Sequence, residues 1–258
     1  GGCVVLLHGL GDEADSFRHL LPLLAPRRRI LAPDLPGFGR SVPRGRACLS
    51  SCARAVEALV AAEAPQGAVL VGSSLGASLA QLVAMRGRVP VLGLVLMDGG
   101  LPAAPGSGEG LAASVLPFLG EARYRSLRGR PEAAYASLGP YYADLASLAE
   151  ADRAFLARRV VERVESEVQL RSYFSLLRSL VLEASFSSRA YAAFMAKTGL
   201  PILILWGEDD RILAPASARL LGRHAKAAVQ LVLPGAGHLP QQERPQATAG
   251  AILEFLGS

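Results

Sequence analysis

Ser74 stands at the centre of Gly72-Ser73-Ser74-Leu75-Gly76, between an apolar run, Val69-Leu70-Val71, and the small-residue, helix-prone run Ala77-Ser78-Leu79-Ala80. A serine on a turn that sharp is forced into strained backbone geometry and pushed clear of the sheet. The flanking glycines are small because strand and helix pass too close there for a Cβ. This is the pattern of a nucleophile elbow, and it implies hydrolysis through an activated serine. Gly-x-Ser-x-Gly also arises by chance, as an ordinary tight turn, in a Gly- and Ser-rich chain. The strand before it, the helix after it and its partners downstream decide between the two.

An activated serine needs a base. Of the four histidines, His19 falls within a predicted helix and His224 at a helix end near Lys226, while His8 reads as a residue bonding within its own turn. His238 lies in the Gly-rich loop Leu233-Pro234-Gly235-Ala236-Gly237-His238-Leu239-Pro240, directly after the last predicted strand. Such a loop carries an imidazole over the carboxyl ends of the strands, where Ser74 sits. The base needs an orienting carboxylate, and Trp206-Gly207-Glu208-Asp209-Asp210-Arg211 offers three acids after the penultimate strand. Asp210 is the choice and Asp209 the fallback; an acid after a strand also commonly caps the next helix. His238 would take the Ser74 proton while Asp210 holds the ring and stabilises the imidazolium. Donors for a developing oxyanion are expected from two backbone N–H groups. One is Leu75, at the positive end of the helix after the elbow; the other is Leu10, in the loop His8-Gly9-Leu10-Gly11.

The elements that would position these groups follow from hydrophobic patterning. Apolar runs at 4–7, 30–33, 69–72, 91–97, 200–206 and 229–233 read as strands. They are apolar throughout, as in a parallel sheet covered on both faces. Helical spacing is found over 49–64, from 75 to about 86, and near 215–223 and 245–256, with Asp15 or Ser16 placed to cap a helix reaching Leu24. The strand rhythm stops after Asp98, and helical patterns fill 110–119, 131–138, 145–167, 170–182 and 188–196. The expected fold is therefore α/β: a mostly parallel sheet of about six strands flanked by helices. Its core comprises residues 1–100 and 199–258, and a helical insertion spans 101–198.

Composition narrows the class. The chain has 258 residues, 51% of them hydrophobic and 19% charged, which suits a large packed core and excludes global disorder. Net charge is +5, but the arginines are scattered or interleaved with acids, as in Arg158-Arg159-Val160-Val161-Glu162-Arg163. That describes a solvated helix face, and no nucleic-acid partner is expected. No apolar run suggests a membrane span and no basic leader precedes the first strand, so the expected location is cytoplasmic. Cys48 and Cys52 share a helix face without a neighbouring histidine, which points to structural thiols and no metal site. No cofactor is expected.

Five segments, His8-Gly9-Leu10-Gly11, Asp34-Leu35-Pro36-Gly37-Phe38-Gly39-Arg40-Ser41, the elbow, Trp206–Arg211 and Gly237-His238-Leu239-Pro240, run in order along nearly the whole chain. In this the chain resembles the α/β-hydrolase superfamily, in its capped branch of serine carboxylesterases and small lipases. Members of that family use the chain order Ser, Asp, His. They usually carry two strands before the first one seen here, and some draw the acid from the position of Asp98. The resemblance implies a serine hydrolase cleaving small to medium apolar esters through an acyl-enzyme. The alternatives are carbon–carbon or amide/iminopeptide hydrolysis on the same triad, or a ligand-binding receptor on the same scaffold. Ser73, where meta-cleavage hydrolases usually have Asn, speaks against the carbon–carbon reaction. The insertion would form a cap over the strand ends, where ligands bind in open α/β sheets. An apolar site is expected from residues such as Leu101, Phe118, Phe174, Phe186 and Leu239; Leu116, Leu177 and Phe194 belong to the same apolar set. Glu109, Glu121, Glu132 and Glu183 could bind an amine, although solvated roles suit them better.

Overall fold

The structure, a computed structural model, describes residues 2–43, 45–103 and 118–257. Six parallel strands form one sheet in the order β2-β1-β3-β4-β5-β6: β1 (Cys3–Leu7), β2 (Arg29–Leu31), β3 (Ala68–Ser73), β4 (Val91–Met97), β5 (Ile202–Gly207) and β6 (Val229–Leu233). The apolar strands divide their side chains between two cores. Val5, Leu7, Leu70, Leu94, Leu96, Ile204 and Trp206 face one layer, with Leu49, Val56 and Val60 of helix α2 (Leu49–Glu63) and Leu79 and Val83 of α3 (Leu75–Arg86). Val4, Leu6, Val71, Val95, Met97, Leu203 and Leu205 face the other, with Phe17, Leu20 and Leu24 and with Ala249, Ile252 and Leu253. Strands buried on both faces have no polar side to show, which is why they read as continuous apolar runs. The edge strands are the exceptions: β6 exposes Val229, Leu231 and Val232, and β2 has no fully buried residue.

Register sets the site. Leu7 pairs with Gly72, Ser73 with Met97, and Gly207 with Leu233. The carboxyl ends of β1, β3, β4, β5 and β6 therefore open on one edge of the sheet, and the loops carrying Leu10, Ser74, Asp98, Asp210 and His238 leave from it.

Several helices differ from the pattern-based expectation. The helix expected to reach Leu24 is a 3₁₀ turn, Ala14–Phe17, followed by a separate short helix α1 (Leu21–Leu24). Neither Asp15 nor Ser16 caps it. Pro22 lies in the first turn of α1, where its missing N–H costs nothing, and the helix restarts there. Between β4 and β5 lie α4 (Leu119–Arg125), α5 (Pro131–Ala136), α6 (Glu150–Glu165) and α7 (Glu167–Lys197). The two helices expected over 170–182 and 188–196 are one 31-residue helix, α7. The polar stretch between them contains no Gly or Pro, and Ser185 and Ser188 satisfy their hydroxyls on the carbonyls of Val181 and Ala184 within the helix. The expected helix over 145–167 is a 3₁₀ turn, Leu145–Ser147, followed by α6; the chain bends at Ser166, whose hydroxyl accepts the Gln169 N–H to cap α7. The helix expected over 110–119 falls largely outside the described residues, as do Glu109 and Leu116. The chain ends on α8 (Ala216–His224), α9 (Pro240–Glu243) and α10 (Pro245–Phe255).

The three cysteines are free. Cys52 is buried in the core under α2, and Cys48 caps that helix, its sulfur accepting the Ser51 N–H. Among the described residues no helix is long and apolar enough to cross a membrane.

Candidate active site

Ser74 adopts φ 54° and ψ −118° at the junction of β3 and α3, a conformation that L-residues reach only under constraint. The constraint is visible on all sides. The Ser74 N–H donates to Met97 O at 2.8 Å, a Cβ on Gly72 would lie 2.2 Å from the Gly76 carbonyl, and one on Gly76 would lie 2.1 Å from Leu7 O. Between Ala68 and Val83, Ser74 alone is not fully buried. Leu75 is the first residue of α3, so its N–H has no acceptor within the helix.

His238 Nδ1 donates to Asp210 Oδ2 at 2.9 Å, and both side chains are buried. Asp210 Oδ1 accepts the N–H groups of Ile212 and Leu213 at 2.8 and 2.9 Å, so the carboxylate is fixed by the turn that follows β5. Asp209, its neighbour, is exposed and points away from this arrangement. With Nδ1 committed to Asp210, the free nitrogen of His238 is Nε2. Ser74 and His238 line the same cavity of about 460 Å³.

The loop after β1 supplies Gly9, Leu10, Gly11 and Asp12 to that cavity. His8 fixes the loop: Nδ1–H donates to Gly9 O at 2.8 Å and Nε2 accepts the Leu35 N–H at 2.9 Å. Burial holds this imidazole neutral by lowering its pKa, against the opposing charge of Asp12. His8 is thus structural, and it reaches the next loop rather than only its own turn. His19 pairs with Asp152 at 2.8 Å, away from the elbow.

The cavity wall comes largely from the segment between β4 and β5. Phe174, Leu127, Leu156, Val160 and the rings of Tyr124, Tyr141 and Tyr173 line it together with Leu239. Leu101, Phe118 and Phe186 were expected there and are not. Leu101 is buried in the core, its N–H and carbonyl tied to the Gln81 side chain at 2.7 and 2.9 Å. Phe118 and Phe186 are 85% and 83% exposed. Phe186 sits on a turn of α7 that faces neither the core nor the cavity, a distinction that apolarity does not reveal. Of the acids considered for amine binding, Glu121 is neutralised by Arg178.

Three sets of residues that carry no motif hold the site together. Asp12 and Glu13, following the Leu10 loop, form ion pairs with Arg163 at 2.8 Å, and Glu13 also meets Arg159. Burial disfavours the Glu13 carboxylate, but the bonds and charges of Arg159 and Arg163 outweigh it and hold its pKa at about 2. Glu243 accepts the N–H of Gly237 and of Ala143, each at 2.7 Å, while the His238 N–H donates to Tyr141 O at 2.9 Å. Gln241 reaches Ser16 and Ser73, and Gln242 joins Ser16 to the Tyr142 hydroxyl. Only the proximity of these residues to His238 in the chain could have drawn attention to Gln241, Gln242 and Glu243.

Asp98, Asp210 and His238 each bring a ligand-type atom within 4.8 Å of the others, the one such trio among the described residues. A cation there would have to displace the His238–Asp210 hydrogen bond, and the trio is better described as a hydrogen-bonded set.

A family model, the alpha/beta hydrolase family, matches residues 4–251, and the chain belongs to that family. It is 30% identical, over 99% of its length, to the dihydrolipoyllysine-residue acetyltransferase component of the acetoin cleaving system of Pseudomonas putida, spanning 64% of that protein. It is 28% identical to the pimeloyl-[acyl-carrier protein] methyl ester esterase of Yersinia enterocolitica, over 99% of this chain and 93% of that one. In structure it is similar to the 2-hydroxy-6-oxo-6-phenylhexa-2,4-dienoate hydrolase of Rhodococcus sp. strain RHA1, with a TM-score of 0.84 and 22% identity over 100% of this chain and 91% of the other, a likeness of fold.

Proposed function

We propose that this hydrolase cleaves small to medium apolar carboxylic esters through an acyl-enzyme on Ser74. The observation that carries the proposal is the His238 Nδ1–Asp210 Oδ2 hydrogen bond behind a strained, partly accessible serine in a shared cavity. Nδ1 protonated leaves Nε2 as the basic nitrogen. His238 Nε2 takes the Ser74 hydroxyl proton as Oγ attacks the ester carbonyl. The tetrahedral oxyanion is held by the N–H groups of Leu10 and Leu75; one such donor is worth roughly 3–4 kcal/mol in the transition state. His238 then hands its proton to the departing alcohol, and a water, activated the same way, releases the acid. Asp210 keeps the ring in its tautomer and offsets the imidazolium charge. The insertion spanning 101–198 acts as the cap, and Phe174 and Leu239 form part of the apolar acyl wall. The relatives named as methyl ester esterases support ester rather than carbon–carbon cleavage.

Turnover of p-nitrophenyl esters from acetate to decanoate, together with fluorophosphonate labelling at Ser74, tests the proposal. Hydrolysis of the shorter or medium chains and a single label on Ser74 are expected. No turnover of any chain and no label would remove the enzyme reading and leave a receptor on a hydrolase scaffold.

A further inference from the structure

Asp98 follows β4 directly, in the left-handed region at φ 45°, a region that Asp tolerates better than most residues. It is completely buried and does not line the substrate cavity. Its N–H donates to Leu205 O at 3.0 Å, and its Oδ1 accepts the Gly207 N–H at 2.8 Å. Its Oδ2 is buried with no N–H or O–H donor in reach. The groups that face it are the carboxylate of Asp210 and the ring of His238, all within 4.8 Å, with Glu243 contributing further negative charge.

Asp210 already accepts three N–H groups, from His238, Ile212 and Leu213, so it is the member of the pair equipped to be an anion. Two buried carboxylates at this spacing repel strongly even in a moderately polar interior. Asp98 accepts a single N–H and keeps one oxygen without a donor, and that oxygen is satisfied only if it carries a proton and donates it. Burial first, then the charge of Asp210, pushes the Asp98 carboxyl well above the ordinary carboxylate range.

We propose that Asp98 stands as the neutral acid and donates its Oδ2 proton to the carboxylate of Asp210, so that it is a positioning residue acting on His238 through Asp210. The proposal rests on Asp210 being the orienting acid of the Ser74 site. Asp98 adds a fourth donor to those Asp210 already has and draws off part of its charge. The proton bound to His238 Nδ1 then stays on the imidazole instead of passing to a carboxylate that only the Ile212 and Leu213 N–H groups restrain.

The test uses the intact chain and two variants. Asparagine tolerates the left-handed backbone, still accepts the Gly207 N–H and still donates to Asp210, but cannot ionise. At neutral pH the infrared difference between the wild type and Asp98→Asn should contain the carbonyl stretch of one protonated carboxylic acid. Asp98→Ala should lower kcat by about 100-fold with little change in KM, as expected for a misplaced base. Asp98→Asn should recover most of that loss and keep the acid limb of the kcat profile where the wild type has it. The inference is overturned if the infrared band is absent, or if Asp98→Asn moves the acid limb down by about one pH unit, since losing a real negative charge beside His238 would disfavour the imidazolium. It is also overturned if Asp98→Asn is as crippled as Asp210→Asn, which would make Asp98 the orienting acid. A wild type that shows the band but neither turns over esters nor takes a fluorophosphonate would sink the esterase reading while the proton-sharing pair stands.

Discussion

Glu243 accepts the N–H of Gly237 at 2.7 Å, and Gly237 immediately precedes His238. The other oxygen of the same carboxyl accepts the Ala143 N–H, so one side chain joins the His238 loop to the connection between α5 and α6. Burial raises the Glu243 pKa, and the two N–H donors oppose that rise. Glu243→Gln replaces one acceptor by an NH₂ that faces an N–H. A buried donor left without an acceptor costs about 1–3 kcal/mol, which for a chain of this size lowers Tm by roughly 2–4 °C per kcal/mol. A lower kcat should accompany the lower Tm, because the loop carrying His238 loses an anchor. Calorimetry and ester kinetics check both; an unchanged Tm would show that the clamp contributes nothing.

Ser74→Ala should lower kcat by about 10⁴-fold or more, because serine, base and acid act as a unit. It should also abolish fluorophosphonate labelling. The elbow backbone is held by Met97 O and by the close approach of Gly72 and Gly76, not by the serine side chain. The variant should therefore melt like the wild type, and retained activity would assign the nucleophile elsewhere.

Asp209 and Asp210 are adjacent, yet only Asp210 turns inward to His238. Asp210→Asn should cost about 10⁴-fold in kcat through the wrong imidazole tautomer, while Asp209→Asn should leave kcat as it was. A steady-state comparison of the two variants decides between them, and the reverse ranking would move the acid by one residue.

What the chain reveals before folding follows from how local each determinant is. The elbow was legible because Gly72, Ser74 and Gly76 meet one another within a single turn, and the two sheet-edge loops were legible because each follows an apolar strand directly. The strands stood out as apolar runs because most of them are buried on both faces, while the edge strands β2 and β6 carry Arg29 and Gln230. The helical insertion was harder. Its helices bury a narrow stripe, so Phe186 on the solvent side of α7 reads the same as Phe174 on the cavity side. The Glu13–Arg163 pair joins residues 150 apart, and no local pattern announces it. Asp98 was visible as a possible acid, but its role depends on the strand register that sets it beside Asp210.

The Glu13 cluster makes stability depend on acid. Its folded pKa of about 2 lies below the ordinary value of 4.5, so the stabilisation is fully present above about pH 5 and is lost as pH falls toward 2. Its size is on the order of 3 kcal/mol. Glu13→Gln should melt well below the wild type at pH 7, and the gap should close as both are titrated from pH 5 to pH 2. A gap independent of pH would mean that the residue matters for its shape alone.

Phe174 lines the cavity where the proposed acyl chain would lie. It is buried in the wall, with ring contacts of 5.0 Å to Tyr173 and 6.0 Å to Tyr124, whereas Phe186 is exposed on the same helix. Phe174→Leu keeps the wall apolar but removes part of its bulk. One methylene in an apolar pocket is worth about 1–3 kcal/mol of discrimination. The ratio of kcat/KM for long over short p-nitrophenyl esters should therefore rise about tenfold or more in Phe174→Leu and stay at the wild-type value in Phe186→Leu. Equal shifts in both variants, or none in either, would place the acyl chain against another wall. The expected split would instead identify the Phe174 side of α7 as the surface that chooses among esters, while Ser74, His238 and Asp210 treat them all alike.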